Sequence, residues 1–283
     1  MEWHNDHDGF KGNEVDKDIE KVKPLIEDII LQQKVVTDRE LKVRLESKFF
    51  PWIVSRALES MQKGGMIDVV GYAGRRGIRK RAPDFFYVAY GADYNSIVEI
   101  LSKKRQVTRD VNAILTAQAP AGFHAEDLFQ NAFISLGFNI LGRDVSEFKG
   151  KVVSGIQGKT LPDLDFVIEK DNVIYGVDVK NWIRYERDSR FDIIRKVSLA
   201  KQLDIVPFIV ARYVDRDTMY TEIIEKGGIC YPYQMLLIPS TYESLAREAV
   251  SLLGYPMLAI DFLPKFKKEF ILKLHNVWLH RNK

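Results

Sequence analysis

Cysteine is almost absent from this chain. Cys230 is the only one among 283 residues, so an intramolecular disulfide is impossible and a multi-cysteine zinc site is excluded. No run of about 18 apolar residues occurs, which leaves no sequence candidate for a membrane-spanning helix. The opening stretch MEWHNDHDGFKGNEVDKD is polar and acidic and lacks the apolar core of a signal peptide. There is no internal repeat and no low-complexity tract. A cytoplasmic location is the expectation these absences support. Excess charge is also missing: the formal net charge is +3, too small to name a partner by itself.

What is present is the balance of a globular chain. Apolar residues make up 46% and charged residues 29%, with length for one large domain or two smaller ones. The cations are clustered. Arg75, Arg76, Arg79, Lys80 and Arg81 share one short stretch. Lys103, Lys104, Arg105 and Arg109 form a second group, and Lys265, Lys267, Lys268 and Lys273 a third. Such clusters mark either solvated surface or the footprint of a phosphate backbone.

Residues 1–18 read as a disordered tail. From Ile19 to Leu31, apolar residues recur at helical spacing. Thr37 followed by Glu40 has the spacing of a capping box. Pro51 opens a third helix that ends at Gly64 and Gly65. MIDVVGYAG and DFFYVAY then read as two strands around a basic, glycine-bearing loop. This order over residues 19–92 resembles a winged helix-turn-helix. The resemblance implies a DNA-binding unit, with Arg56 on the third helix and Arg75, Arg76, Arg79, Lys80 and Arg81 at the wing tip. A winged helix used for protein contacts is the alternative. Residues 93–121 read as a helical connector ending at Pro120 and Gly122.

Residues 122–283 alternate helical and strand-like segments: AEDLFQNAFISLGF, FNILGRDV, a hairpin, RFDIIRKVSLAKQL, VPFIVARYV, CYPYQMLLIP and YESLAREAVSLLGY. That order predicts an α/β fold with a mixed sheet flanked by helices. The hairpin LPDLDFVIEKDNVIYGVDVKNW carries charges among its apolar residues. Alternation puts Asp163 and Asp165 on one strand face, and Asp178 with Lys180 on one face of the next strand. A turn centred on Lys170-Asp171 places Asp163 opposite Asp178, and a turn centred on Asp171-Asn172 places Asp165 there. Gathered carboxylates repel unless a cation intervenes, and hard oxygen ligands suit Mg²⁺ or Mn²⁺. Such an ion assists phosphodiester hydrolysis, and Lys180 is placed to orient water or neutralise developing charge. Glu126 falls on the stripe of Phe129 and Phe133, so it projects toward the core rather than away from it.

The combination of Glu126 on a helix, Pro162-Asp163-Leu164-Asp165 on a strand and Asp178-Val179-Lys180 on the next resembles the PD-(D/E)XK nuclease superfamily. The resemblance covers about residues 125–214. It implies a restriction-endonuclease-like fold, as in archaeal Holliday-junction resolvases and Mrr-type restriction enzymes, and Mg²⁺-dependent cleavage of DNA. Asp165, Asp178, Lys180 and Glu126 are then the expected catalytic residues. Asp165, Asp178, Glu126 and, as a second candidate, Asp163 are the expected metal ligands. A homodimer is expected, because this superfamily commonly works on two strands. The competing reading is an inactive nuclease fold serving as a DNA-binding or protein-binding regulator. Lys196, Lys201 and Gln202 read as solvated helix residues. GIQGKT departs from a P-loop because Val153 stands where glycine is required and a strand follows. Cys230 reads as a buried structural thiol.

Overall fold

The computed structural model describes residues 12–73, 84–115, 120–152 and 163–282. The wing-tip cations Arg75, Arg76, Arg79, Lys80 and Arg81, together with GIQGKT and Pro162, lie outside the described residues. The chain divides into two compact units, one of Met1–Arg109 with Leu252–Gly254 and one of Asp110–Ser251 with Tyr255–Lys283.

The N-terminal unit begins with α1 (Gly12–Gln33), which starts inside the stretch expected to be a tail. It continues through β1 (Val36–Thr37), α2 (Asp38–Leu45), α3 (Pro51–Lys63), β2 (Ile67–Ala73) and β3 (Asp84–Ala89). The three strands form an antiparallel sheet in the order β1-β3-β2. Val22, Ile26 and Ile30 of α1 meet Leu41 and Leu45 of α2 and Ile53, Ala57, Leu58 and Met61 of α3 in one buried cluster. Helical spacing puts these residues on inward faces. Thr37 caps α2, its Oγ1 accepting the Glu40 N–H at 2.9 Å. The reciprocal half of the expected capping box does not form. The Glu40 carboxylate instead accepts from Lys104 Nζ at 2.8 Å and from Arg44 at 3.1 Å.

Lys104 belongs to α4 (Tyr94–Ile114), a continuous helix that fills most of the expected connector and carries the division between the units. Lys104 therefore does not belong to a solvated cation cluster. It is buried and committed to Glu40, because an isolated ion inside a core is costly.

The C-terminal unit opens with α5 (Pro120–Ser135). Pro120 and Gly122 stand in its first turn, where proline is well tolerated, rather than in a boundary loop. A mixed five-stranded sheet follows, in the order β10-β9-β8-β7-β4. Its strands are β4 (Asn139–Val145), β7 (Leu164–Lys170), β8 (Val173–Lys180), β9 (Val206–Ala211) and β10 (Ile229–Pro232). Between β4 and β7 lies a small ribbon of β5 (Glu147–Phe148) and β6 (Lys151–Val152). The β4–β7 and β7–β8 pairs are antiparallel, and β8–β9 and β9–β10 are parallel. The crossover from β8 to β9 is α6 (Arg187–Gln202), as parallel neighbours require. CYPYQMLLIP, expected as one strand, is two. It breaks after β10, with Gln234 at φ 67, and resumes as β11 (Leu236–Ile238). The chain then forms α7 (Glu243–Glu248), β12 (Met257–Ala259), which pairs with β11 in a separate parallel sheet, and α8 (Lys265–Asn282).

Helices flank the sheet on both faces. On one, α5 and α8 cover Phe166, Ile168, Tyr175, Val177 and Val179, and Phe133 meets Phe138, Phe166 and Phe208 edge-on. On the other, Leu199, Ala200 and Leu203 of α6 cover Leu164 and Val167. Leu164 thus departs from strict alternation with Phe166. Gly176 lies on the α6 side, where an added Cβ would stand 2.6 Å from Leu164 Cδ1 and 2.9 Å from Ile205 Cδ1.

Candidate active site

The turn between β7 and β8 decides what faces Asp178. Asp171 and Asn172 both have positive φ, 51° and 61°, and Lys170 pairs with Val173. This is a two-residue hairpin loop of the primed kind, whose twist suits the flanking strands and which Asp and Asn tolerate well. The register runs Ile168↔Tyr175 and Phe166↔Val177. Continued by one residue, it sets Asp165 opposite Asp178. The backbone ladder stops there, and the Asp165 carboxylate takes over as acceptor: the Val179 N–H donates to its Oδ2 at 2.5 Å.

Asp178 is fully buried. Lys180 Nζ stands 2.9 Å from one of its oxygens and Lys196 Nζ 2.8 Å from the other. Neither ammonium is aimed along a hydrogen-bonding direction, so charge rather than directed bonding holds the carboxylate. Lys180 also stands 2.8 Å from Asp192 of α6. Asp192 and Lys196 are one helical turn apart, as are residues that share a helix face. They cross-pair with Lys180 and Asp178 in a four-charge network. Lys196 additionally donates to the Asp163 carbonyl. The expectation that Lys196 is solvated is therefore corrected: it is 4% exposed. Its position three residues after Ile193 and four before Ala200, both buried, was the available signal. Asp192 was missed altogether. Lys201 and Gln202 are exposed, as expected.

Burial, and then the charge of Asp178, push the Asp165 carboxyl well above the usual carboxylate range. Burial opposes the charge on Lys180, yet Asp178, Asp192 and Asp165 together raise its pKa. Asp192 is likewise opposed by burial, but Lys180 leads the cations that hold it below the usual range. Glu126 is partly buried on α5, and burial raises its pKa. It feels both Lys180 and Asp178, so α5 brings it into the same electrostatic neighbourhood. Asp163 lies at the rim, its side chain half exposed and 3.8 Å from Lys196.

Comparison of the chain with protein-family models, curated proteins and solved structures found no match in any of the three. The site must therefore be read from its own chemistry. Among the described residues, no group of three or more His, Cys, Asp or Glu side chains is placed to hold a metal ion. The hairpin supplies two opposed carboxylates, and Mg²⁺ needs only one or two when water and substrate phosphate complete its shell. Asp165 and Asp178 are the carboxylates that could hold such an ion, and each Asp178 oxygen already faces a lysine ammonium. Arg56 is exposed on α3, its guanidinium 5.4 Å from the Trp52 ring centroid, in the other unit.

Proposed function

We propose that this chain is a metal-dependent endonuclease of the PD-(D/E)XK type that hydrolyses phosphodiester bonds in DNA. The observation that carries the reading is Asp165 set across the hairpin from a fully buried Asp178, with Lys180 beside it. Asp165 and Asp178 would hold Mg²⁺ or Mn²⁺, which supplies Lewis-acid stabilisation and an acidified water. Lys180 stays charged, because three carboxylates favour its ammonium. Its role in this reading would be to neutralise charge developing on a phosphorane. Lys196 and Asp192 hold Asp178 and Lys180 in position from α6. Glu126, whose carboxyl pKa burial raises and which feels Lys180 and Asp178, would exchange a proton with the reacting groups. The N-terminal unit, three helices before a strand ribbon, is read as a winged helix that helps hold DNA.

Incubation with supercoiled plasmid and either metal should yield nicked or linear DNA, and Asp178→Ala or Lys180→Ala should abolish it. Cleavage that persists in both variants would sink this reading. A second reading, an inactive nuclease fold acting as a regulator, is favoured by the two ammoniums already lodged against Asp178 and by the absence, among the described residues, of three His, Cys, Asp or Glu side chains placed to hold a metal. Calorimetry separates the two: absence of any Mg²⁺ or Mn²⁺ site, with DNA left intact, selects the regulator.

A further inference from the structure

Single exposed apolar side chains are ordinary on a folded protein, whereas several gathered at one place mark an interaction site. Phe262 is 85% exposed and Phe266 66% exposed. The turn that presents Phe262 is fixed from below: the Asp261 carboxylate accepts the Ser240 N–H at 3.0 Å and the Ser240 hydroxyl as well. Phe266 lies in the first turn of α8, and Lys267 Nζ stands 5.6 Å from its ring centroid. Lys265 is almost fully solvated, 3.8 Å from the Glu269 carboxylate, and Lys268 is partly exposed. Cations and exposed rings therefore alternate along a few residues.

Hydrogen bonds tie this segment to the proposed catalytic end of β8. Lys267 Nζ donates to the Tyr233 carbonyl at 3.0 Å. The Tyr233 hydroxyl stands 2.8 Å from Asn181 Oδ1 and 3.3 Å from the Lys180 carbonyl. Asn181 Nδ2 in turn donates to the Ala121 carbonyl at 2.8 Å, at the start of α5. On the same turn of α5, His124 Nε2 lies 2.6 Å from the Ile260 carbonyl. Phe123, beside it, is a third exposed ring, at 62%. It sits one turn before Glu126 on the same helix face. Two residues of chain span at most about 7 Å, so Phe262 lies close to that hydrogen bond.

We propose that Phe123, Phe262 and Phe266, with Lys265 and Lys268, form a stacking platform for an unpaired strand of nucleic acid, Lys267 bracing it from below. Exposed rings interleaved with cations are what single-strand binding needs: bases stack on the rings while ammoniums follow the phosphates. A blunt duplex keeps its bases stacked inside and offers the rings nothing comparable. The platform rests on the nuclease reading only for its role. It would deliver single-stranded or splayed segments to Asp165 and Asp178, so the preferred substrates would carry unpaired nucleotides beside the cut.

The test is fluorescence anisotropy of the full chain with fluorescein-labelled oligothymidylate of about a dozen nucleotides. It is run in EDTA so that binding is read without cleavage. Oligouridylate and a blunt duplex of equal length serve as further arms, to separate RNA from DNA and single strand from double. The single strand should bind more tightly than the duplex. The Phe262→Ala/Phe266→Ala double variant should lose about ten-fold or more in single-strand affinity, with an unchanged melting temperature. The matching Trp/Trp variant should retain it. Unchanged affinity in the double variant, or equal affinity for duplex, overturns the platform. So does a sedimentation shift showing that the alanines break a dimer instead. Cleavage that survives in both Asp178→Ala and Lys180→Ala would overturn the nuclease reading and leave this binding result standing.

Discussion

Lys196 and Lys104 make the same point at the residue scale. Each is an almost fully buried ammonium facing a fully buried carboxylate. Removing one member of such a pair leaves the other desolvated and typically costs 3–5 kcal/mol. Lys104→Met should therefore destabilise the N-terminal unit by about 3 kcal/mol, because Arg44 still reaches Glu40. Denaturant unfolding of single and double variants would check this: Glu40→Leu combined with Lys104→Met should recover much of the loss. Cys230 gives a pH prediction. Burial pushes its thiol up to about 12, above the ordinary thiol value of about 8.5. The folded state favours the protonated form, so the associated stability is intact below pH ~8.5 and lost as pH rises toward 12. A disulfide reagent at pH 8 should label Cys230 only after denaturation. In the sequence, the charged set on the hairpin was legible because a strand's period of two assigns faces without tertiary knowledge. The register was not, since either turn was chemically reasonable. Lys104 and Lys196 were misread because a lysine amid helix polar residues looks the same whether it meets water or a partner's carboxylate.

The hairpin and its crossover helix act together at the element scale. The turn demands positive φ at Asp171 and Asn172, which proline cannot adopt. Asn172→Pro should break the β7–β8 pairing, with loss of the folded signal in near-ultraviolet circular dichroism. Asn172→Gly should be tolerated. Gly176→Ala should cost about 1–3 kcal/mol through overpacking, because Leu164 and Ile205 already fill the space under α6. Element order was largely readable from periodicity. The helical reading of the connector is met by α4 over Tyr94–Ile114, and burial of Val107, Val111 and Ile114 supplies the tertiary support that keeps so polar a helix formed. The break in CYPYQMLLIP was hidden, since an apolar run cannot say where one sheet ends and another begins.

At the scale of the whole molecule, a ligand that binds only the folded state raises stability by mass action. If Asp165 and Asp178 hold a divalent ion, Mg²⁺ or Mn²⁺ at about a hundred times its dissociation constant should add about 2.7 kcal/mol. The shift should appear in thermal unfolding of the native chain and vanish in Asp178→Asn. No helix among the described residues is long and apolar enough to cross a membrane. The oligomeric expectation meets a constraint in the sheet itself. β4 is one of its two outer strands. It is interrupted between Ile140 and Gly142, and exposes Arg143 and Asp144, the latter at φ 50°. A kink and charges on an outer strand are the devices that keep one sheet from templating another. The opposite border, β10, is four residues long and offers a short ladder. Among the described residues, neither border of the sheet offers a long flat ladder, so edgewise growth of one sheet onto another copy's is disfavoured from both sides.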